Sequence, residues 1–292
     1  MSVPGADLPG VFALRSQEDA EALIDAAGAA GRAVVIGASF IGMEAAASLV
    51  HRGLDVTVVG PGSAPFEPIL GADVGRVVQA CHREHGTHFA LGHGVSRILG
   101  DGAVQAVELD DGTTLDADFV LVGIGVQPIT EFVRGVELDH DGGLPVDERL
   151  RVAPGVWAAG DVARYREPHT GTDVRIEHWR LALQHGRAAA AEIAGRGEAF
   201  AGVPFFWTQH FDLELGYAGA GQGWEAIDLI GDPAARDFTA FYSREGRLVA
   251  ICGTQRDEIG AFVELMREGR LPTAEELRGR TEEGLAAILA ED

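Results

Sequence analysis

The residues of this 292-residue chain best suited to do chemistry are Gly37 to Gly42, GASFIG, set between the apolar run RAVVIG and an alanine-rich run from Phe40 to Arg52. In a G-x-G-x-x-G turn from strand to helix, the first glycine makes the tight turn. The second lets the backbone approach a pyrophosphate, and the third lets helix and strand pack closely. Free N–H groups and the dipole of the helix N-terminus then favour phosphate. Gly37 and Gly42 hold the outer positions here, and Ser39 takes the middle one, where a small side chain with a hydroxyl donor still serves a phosphate. Phe40 and Ile41 complete the turn, which predicts dinucleotide binding. The carboxylate that would hold the ribose diol of NAD is expected about 20 residues further on. That position is Gly60, and no arginine directly follows to mark a 2′-phosphate pocket. NADH and NADPH therefore both stay open, with NADH slightly favoured.

Other reactive side chains carry less. Cys81, His82, His85, His88 and His93 invite a zinc reading, but their spacings match none of the common zinc patterns, and Gly86 interrupts the segment. They are expected to be surface or capping histidines, with no metal. Cys81 and Cys252 form no C-x-x-C pair and read as small buried residues. No G-x-S-x-G elbow, S-x-x-K motif or Walker loop supports a hydrolase or phosphotransferase.

The elements that must position the turn follow from periodicity. Ser16 caps an amphipathic helix to about Ala30, with an acidic first turn that suits its dipole. Arg32 to Gly37 and Asp55 to Val59 (DVTVV) read as strands buried on both faces, flanking the helix that Gly53 ends. That β-α-β order points to a doubly wound, Rossmann-like domain. Val74 to His85 reads as a helix stopped at Gly86, and Asp110-Asp111-Gly112 as a hairpin turn. FVLVGIG (119–125) is a further buried strand, and VWAAGD a strand that ends at Gly160-Asp161. Glu177 to Gly195 is a second alanine-rich helix. After Val203 aromatics become frequent and strands such as LVAIC (248–252) alternate with turns.

A net charge of −22 repels phosphate backbones and argues against nucleic-acid binding. No apolar run approaches the roughly 18 residues a membrane span needs. Met1 to Gly10 has neither the basic nor the apolar part of a signal peptide, so a cytoplasmic address is expected.

Seven stretches taken together resemble the apoptosis-inducing-factor-like and ferredoxin-reductase-like branch of the FAD-dependent pyridine nucleotide reductases. They are PGADLPGV (4–11), GASFIGMEAA (37–46), PFEPILGADVG (65–75), GIGVQP (123–128), VWAAGDVA (156–163), EHWRLALQHGRAAA (177–190) and VPFFWTQHF (203–211). The resemblance implies an α/β fold: a linker (1–10), an NAD(P)H-binding domain (11–130), the second segment of a discontinuous FAD domain (131–202), a C-terminal α+β domain (203–280) and a tail (281–292). It places Gly37, Ser39 and Gly42 on the NAD(P)H pyrophosphate, Glu44 near nicotinamide and flavin as the catalytic candidate, and Gly125 beside the nicotinamide nucleotide. Asp161, after Gly160, would take hydrogen bonds from the FAD ribityl chain. His178 and Trp179 would bring a helix start to the flavin pyrimidine, and Trp207 an aromatic to the isoalloxazine. Family members begin with a FAD-anchoring strand, glycine turn and helix, whereas this sequence opens on the linker that follows them. The expectation is a FAD-dependent NAD(P)H oxidoreductase passing electrons to an iron–sulfur partner of ferredoxin or Rieske type. Arg175, Arg180 and Arg187 are candidate docking cations, and there is room for a homodimer. A non-catalytic NAD(H)-binding or dimerisation module is the alternative.

Overall fold

The apolar runs RAVVIG, DVTVV and FVLV pair in parallel and are buried on both faces. The computed structural model describes residues 1–279 and 284–290, and the chain divides into one unit of 1–125 with 208–214 and another of 126–207 with 215–292.

In the first unit the strands are β1 (Val11–Ala13), β2 (Arg32–Ile36), β3 (Asp55–Gly60), β4 (His88–Leu91), β5 (Val95–Leu99), β6 (Ala106–Leu109), β7 (Thr114–Asp116) and β8 (Phe119–Val122). Its helices are α1 (Gln17–Ala29), α2 (Phe40–His51) and α3 (Glu67–Glu84). A five-stranded sheet has the order β1-β8-β2-β3-β4, and each pairing is parallel. Strands β2, β3 and β8 supply an unbroken apolar core that includes Val34, Val35, Val58 and Leu121. Strands β5, β6 and β7 form a separate antiparallel sheet whose last turn is tightened by Asp111 accepting from the Thr113 amide. Ser16 and Asp19 cap α1 reciprocally. Strand β8 stops at Val122, short of Gly125, where a φ of +102° leaves extended conformation. Helix α3 starts earlier than its apolar pattern suggested, because Gly71 (φ +80°) kinks it and only the later part is regular.

The opening residues are not a free linker. The Pro4 and Pro9 carbonyls accept from the Ile98 and Val104 amides, and Val3 and Leu8 pack on the apolar cluster around Ile98 and Val107.

In the second unit, β9 (Leu144–Pro145), β10 (Arg151–Ala153), β11 (Val156–Trp157), β12 (Ala163–Arg166) and β13 (Asp173–Val174) are short, and α4 (Trp179–Ile193) follows them. The run VWAAGD keeps only β11 as strand, because Gly160 (φ +79°) turns the chain into a 3-10 turn, Gly160–Val162. Beyond them come β14 (Phe205–His210), β15 (Leu213–Gly219), β16 (Ala226–Asp232), β17 (Asp237–Arg244) and β18 (Arg247–Gly253), in a sheet of order β14-β15-β18-β17-β16. Helices α5 (Arg256–Glu268), α6 (Ala274–Arg278) and α7 (Gly284–Ala290) cover an apolar core around Phe241, Ile251, Phe262 and Leu265. The chain is therefore α/β, with a doubly wound parallel sheet and an antiparallel C-terminal one. The final stretch, expected as a solvated helix or a frayed tail, is helical and docked where it is described: Leu285 is buried, and the Glu258 carboxylate accepts from the Leu285 and Ala286 amides at 2.7 and 3.2 Å. Residues 280–283 and 291–292 lie outside the described residues.

Candidate functional site

The sheet order of the first unit reverses at β2, whose partners β3 and β8 lie on opposite sides. In open parallel sheets, ligands bind outside the carboxyl ends of the strands at such a switch point. Gly37 and Gly123 follow those ends, and their amides donate to Val59 O at 2.8 Å and Ile36 O at 2.7 Å. A Cβ on Gly37 would strike the Gly123 carbonyl, and one on Gly42 the Gly37 carbonyl. Only glycine allows α2 to start this close to the sheet. Ser39 is the N-cap of α2 but its side chain caps no amide, so the hydroxyl is not used in ending the helix. The turn of Gly37, Ser39, Phe40, Ile41 and Gly42 thus has the closeness and the helix N-terminus that a pyrophosphate needs. Gly60 ends β3 as a buried residue, where a Cβ would press on Ala38 at 3.0 Å. The next acid in sequence, Glu67, accepts from the Ser63 amide at 2.6 Å, and that bond holds its carboxyl below the usual range. No ribose carboxylate is built in at this position.

Glu44 stands exposed on α2, two residues past Gly42, and its Oε1 accepts from Thr208 Oγ1 at 2.5 Å. Thr208 Oγ1 lies 3.1 Å from His210 Nε2, and His210 Nδ1 lies 3.2 Å from His82 Nε2. Both rings are fully buried, and desolvation pushes His210 down to about 4 and His82, beside it, to about 3. His82 is therefore not a surface histidine, as expected from the sequence. Val74, Val77, Val78, Cys81 and His82 share the buried face of α3. That same spacing was the signal that could have found it, as was the period of two that aligns Thr208 with His210. His85 does cap, with Nδ1 2.8 Å from the Cys81 carbonyl, and it stacks on Phe211 at 4.1 Å between ring centres. Neither cysteine is in a disulfide, both are buried, and burial pushes the Cys252 thiol up to about 12. Gly125 lies exposed past the end of β8.

In the second unit the remaining candidates gather at the start of α4. Gly160 is buried, a Cβ there would press on Ala182 at 2.9 Å, and its amide donates to His185 Nδ1 at 3.3 Å. Asp161 follows it with an exposed side chain. His178 is the N-cap of α4: its Nδ1 accepts from the Arg180 amide at 3.2 Å, and desolvation, aided by Arg180, lowers its pKa. A neutral ring with Nδ1 so occupied presents Nε2–H as a donor. Trp179 and Trp207 meet edge to face at 5.7 Å, yet remain 60% and 43% exposed, so large apolar faces stay available. The buried Nε2 of His185 and hydroxyl of Tyr165 have no partner among the described residues. Glycine closeness, an N–H donor at a helix start and exposed indoles fit the polar edge and ring of a flavin. Of the arginines proposed for docking, Arg175 is committed to Asp141 at 2.8 Å and Glu177 at 2.7 Å, and Arg180 lies over Phe205 at 4.3 Å. Only Arg187 of the three is exposed.

The family model described as pyridine nucleotide-disulphide oxidoreductase matches residues 1–186, well over half of the chain. The chain belongs to that family. A second model, described as reductase C-terminal, matches residues 205–283. Apoptosis-inducing factor 3 of Mus musculus is 35% identical over 277 residues, which is 92% of this chain and 46% of that protein. The anthranilate 1,2-dioxygenase system ferredoxin–NAD(+) reductase component of Burkholderia cepacia is also 35% identical, over 92% of this chain and 67% of its own. The covalent putidaredoxin reductase–putidaredoxin complex superposes with a TM-score of 0.88 at 30% identity, covering 96% of this chain and 68% of that one. The chain thus spans 46% of the first of these relatives and about two thirds of the others. Among the described residues, no helix is long and apolar enough to cross a membrane.

Proposed function

We propose that this chain is the nicotinamide- and flavin-facing part of an NAD(P)H-dependent flavoprotein reductase whose electrons go to an iron–sulfur protein of ferredoxin or Rieske type. The observation that carries the reading is the pairing, in one chain, of two cofactor-shaped arrays. One is the glycine turn at the β2/β8 switch point. The other is the Gly160–His178–Trp179–Trp207 array at the start of α4. Relatives named for ferredoxin reduction support the partner class, and the family supports NAD(P)H and FAD.

Each residue has a role that follows from its surroundings. Gly37 and Gly42 let the backbone close on the pyrophosphate, and Ser39 adds a hydroxyl donor. Glu44 offers a fixed acceptor to the carboxamide and ribose end of the nucleotide. Gly160 and Asp161 take the ribityl chain, and His178 Nε2–H with the helix start favours negative charge on the ring. Trp179 and Trp207 would offer apolar surface to the ring and keep water from it. Bound FAD supplies the hydride acceptor and the change from electron pairs to single electrons. No side chain need act as acid or base in hydride transfer. Gly60, with no ribose carboxylate, leaves the choice between NADH and NADPH to other contacts. Arg187 is the exposed cation best placed in sequence for an acidic partner.

The test is to mix the purified chain with excess FAD, desalt it, and record its visible spectrum and its NADH-dependent reduction of ferricyanide. Retained flavin absorbance with turnover supports the reading for this chain alone. A colourless protein that still binds NADH supports the alternative of a nucleotide-binding module.

A further inference from the structure

The hydrogen-bonded series that ends on Glu44 has only one consistent direction. Thr208 has a single proton and gives it to Glu44 Oε1, so its oxygen must accept from His210, whose Nε2 therefore carries the hydrogen. A neutral His210 then has a bare Nδ1, which accepts from His82 Nε2–H. His82 Nδ1 is in turn the acceptor for the Thr87 hydroxyl, 3.2 Å away. From Thr87 to Glu44 every proton points the same way, and every ring nitrogen is used. Thr87, His82, Thr208 and His210 are all buried, where aligned hydrogen bonds polarise one another and an unmade one is costly. The series also lies beneath the glycine turn. The Phe66 ring is 4.9 Å from Phe40 on one side and 5.5 Å from His210 on the other, and the Phe66 amide donates to Ala38 O.

We propose that His210, backed by His82, is a positioning residue that holds the Glu44 carboxylate through Thr208, so that one Glu44 oxygen is fixed by the protein and the other is presented to the nicotinamide end of the bound nucleotide. The proposal rests on the reading of Glu44 given above. It explains why two buried histidines stand behind an exposed glutamate, and why residues 208–214 belong with the first unit. The carboxylate loses its rotamer freedom before ligand arrives, which is how preorganisation raises affinity.

The test compares NADH with ADP-ribose, which has the same pyrophosphate but no nicotinamide, by calorimetry on the wild-type chain and on T208V, T208S and H210F. T208V and H210F should weaken NADH by about five-fold, the scale of one hydrogen bond to a charged group made less well. ADP-ribose affinity should not change, and T208S, which keeps the hydroxyl, should bind NADH like wild type. Equal NADH affinity in T208V and wild type overturns the positioning role. A wild-type chain that binds ADP-ribose as tightly as NADH instead overturns the placement of Glu44 itself. Independently of any ligand, 15N NMR of the imidazoles should show both His82 and His210 as neutral Nε2–H tautomers at pH 7. An Nδ1–H tautomer at either ring breaks the series and overturns the proposal, whether or not a variant folds.

Discussion

The two units treat buried histidine in opposite ways. In the first, His82 and His210 have all their ring nitrogens occupied by Thr87, each other and Thr208. In the second, His185 uses Nδ1 for the Gly160 amide, and among the described residues its Nε2, Trp157 Nε1, Tyr165 OH and Gln184 Oε1 are buried without a partner. An unsatisfied buried polar group costs about 1–3 kcal/mol, whereas a satisfied one is roughly neutral or better. The first unit therefore carries a polar network that fixes its shape. The second leaves buried polar atoms, His185 Nε2 next to Gly160 among them, for water or ligand to meet. Local stability is expected to differ accordingly, with the second unit opening more readily near Trp157 to Tyr165.

The largest expected effect is on acidification. Burial lowers His210 to about 4 and His82 to about 3, both below the ordinary value of 6.5. The unfolded chain thus binds protons that the fold refuses as pH falls from 6.5 toward 4, and stability is lost across that window, with nothing lost above it. Hydrogen-exchange protection of α2 and α3, relative to the intrinsic exchange rate at each pH, should fall steeply between pH 6.5 and 4, by more than protection in α4, where His185, also lowered to about 4, and the lowered N-cap His178 contribute. Equal pH dependence in the two units would break the contrast.

Next in size is H210L. It leaves the Thr208 oxygen and His82 Nε2–H without partners and should destabilise the first unit by about 2–4 kcal/mol. Tryptophans 157, 179, 207 and 224 all lie in the second unit, so the loss should appear in exchange of α2 and α3 with little change in tryptophan fluorescence. The smallest effect is expected for H185L, which removes a buried nitrogen that has no partner along with one long hydrogen bond. The unfolding free energy from urea titration followed by tryptophan fluorescence should change by less than about 1 kcal/mol in either direction. A loss as large as that of H210L would show that His185 is as well satisfied as His210, and the two units would no longer differ.

Much of this was legible without a structure, and the divisions are physical. The glycine turn could be read because only glycine tolerates backbone at such short range, so Gly37 and Gly42 announce the close approach by residue type alone. Buried parallel strands declare themselves by unbroken apolar runs, as β2 and β8 do. The start of α1 was legible at Ser16 because capping is local, whereas α4 begins at Trp179, two residues past the Glu177 that its alanine-rich run suggested. The contacts of the first residues were not legible, because proline and glycine mark turns whether or not those turns are docked. The docking of Val3 and Leu8 depends on β5 and β6, far along the chain. His82 misled because histidine is usually exposed, and what makes it buried is a partner 128 positions away. Sequence alone determined the close glycine turn, the layers and the capped start of α1, since those depend on neighbours a few residues apart. Tertiary structure alone decided that Thr208 and His210 return to Glu44, that Arg175 is spent on Asp141 and Glu177, and that His185 lacks a second partner. Those outcomes depend on which distant groups arrive within hydrogen-bond reach.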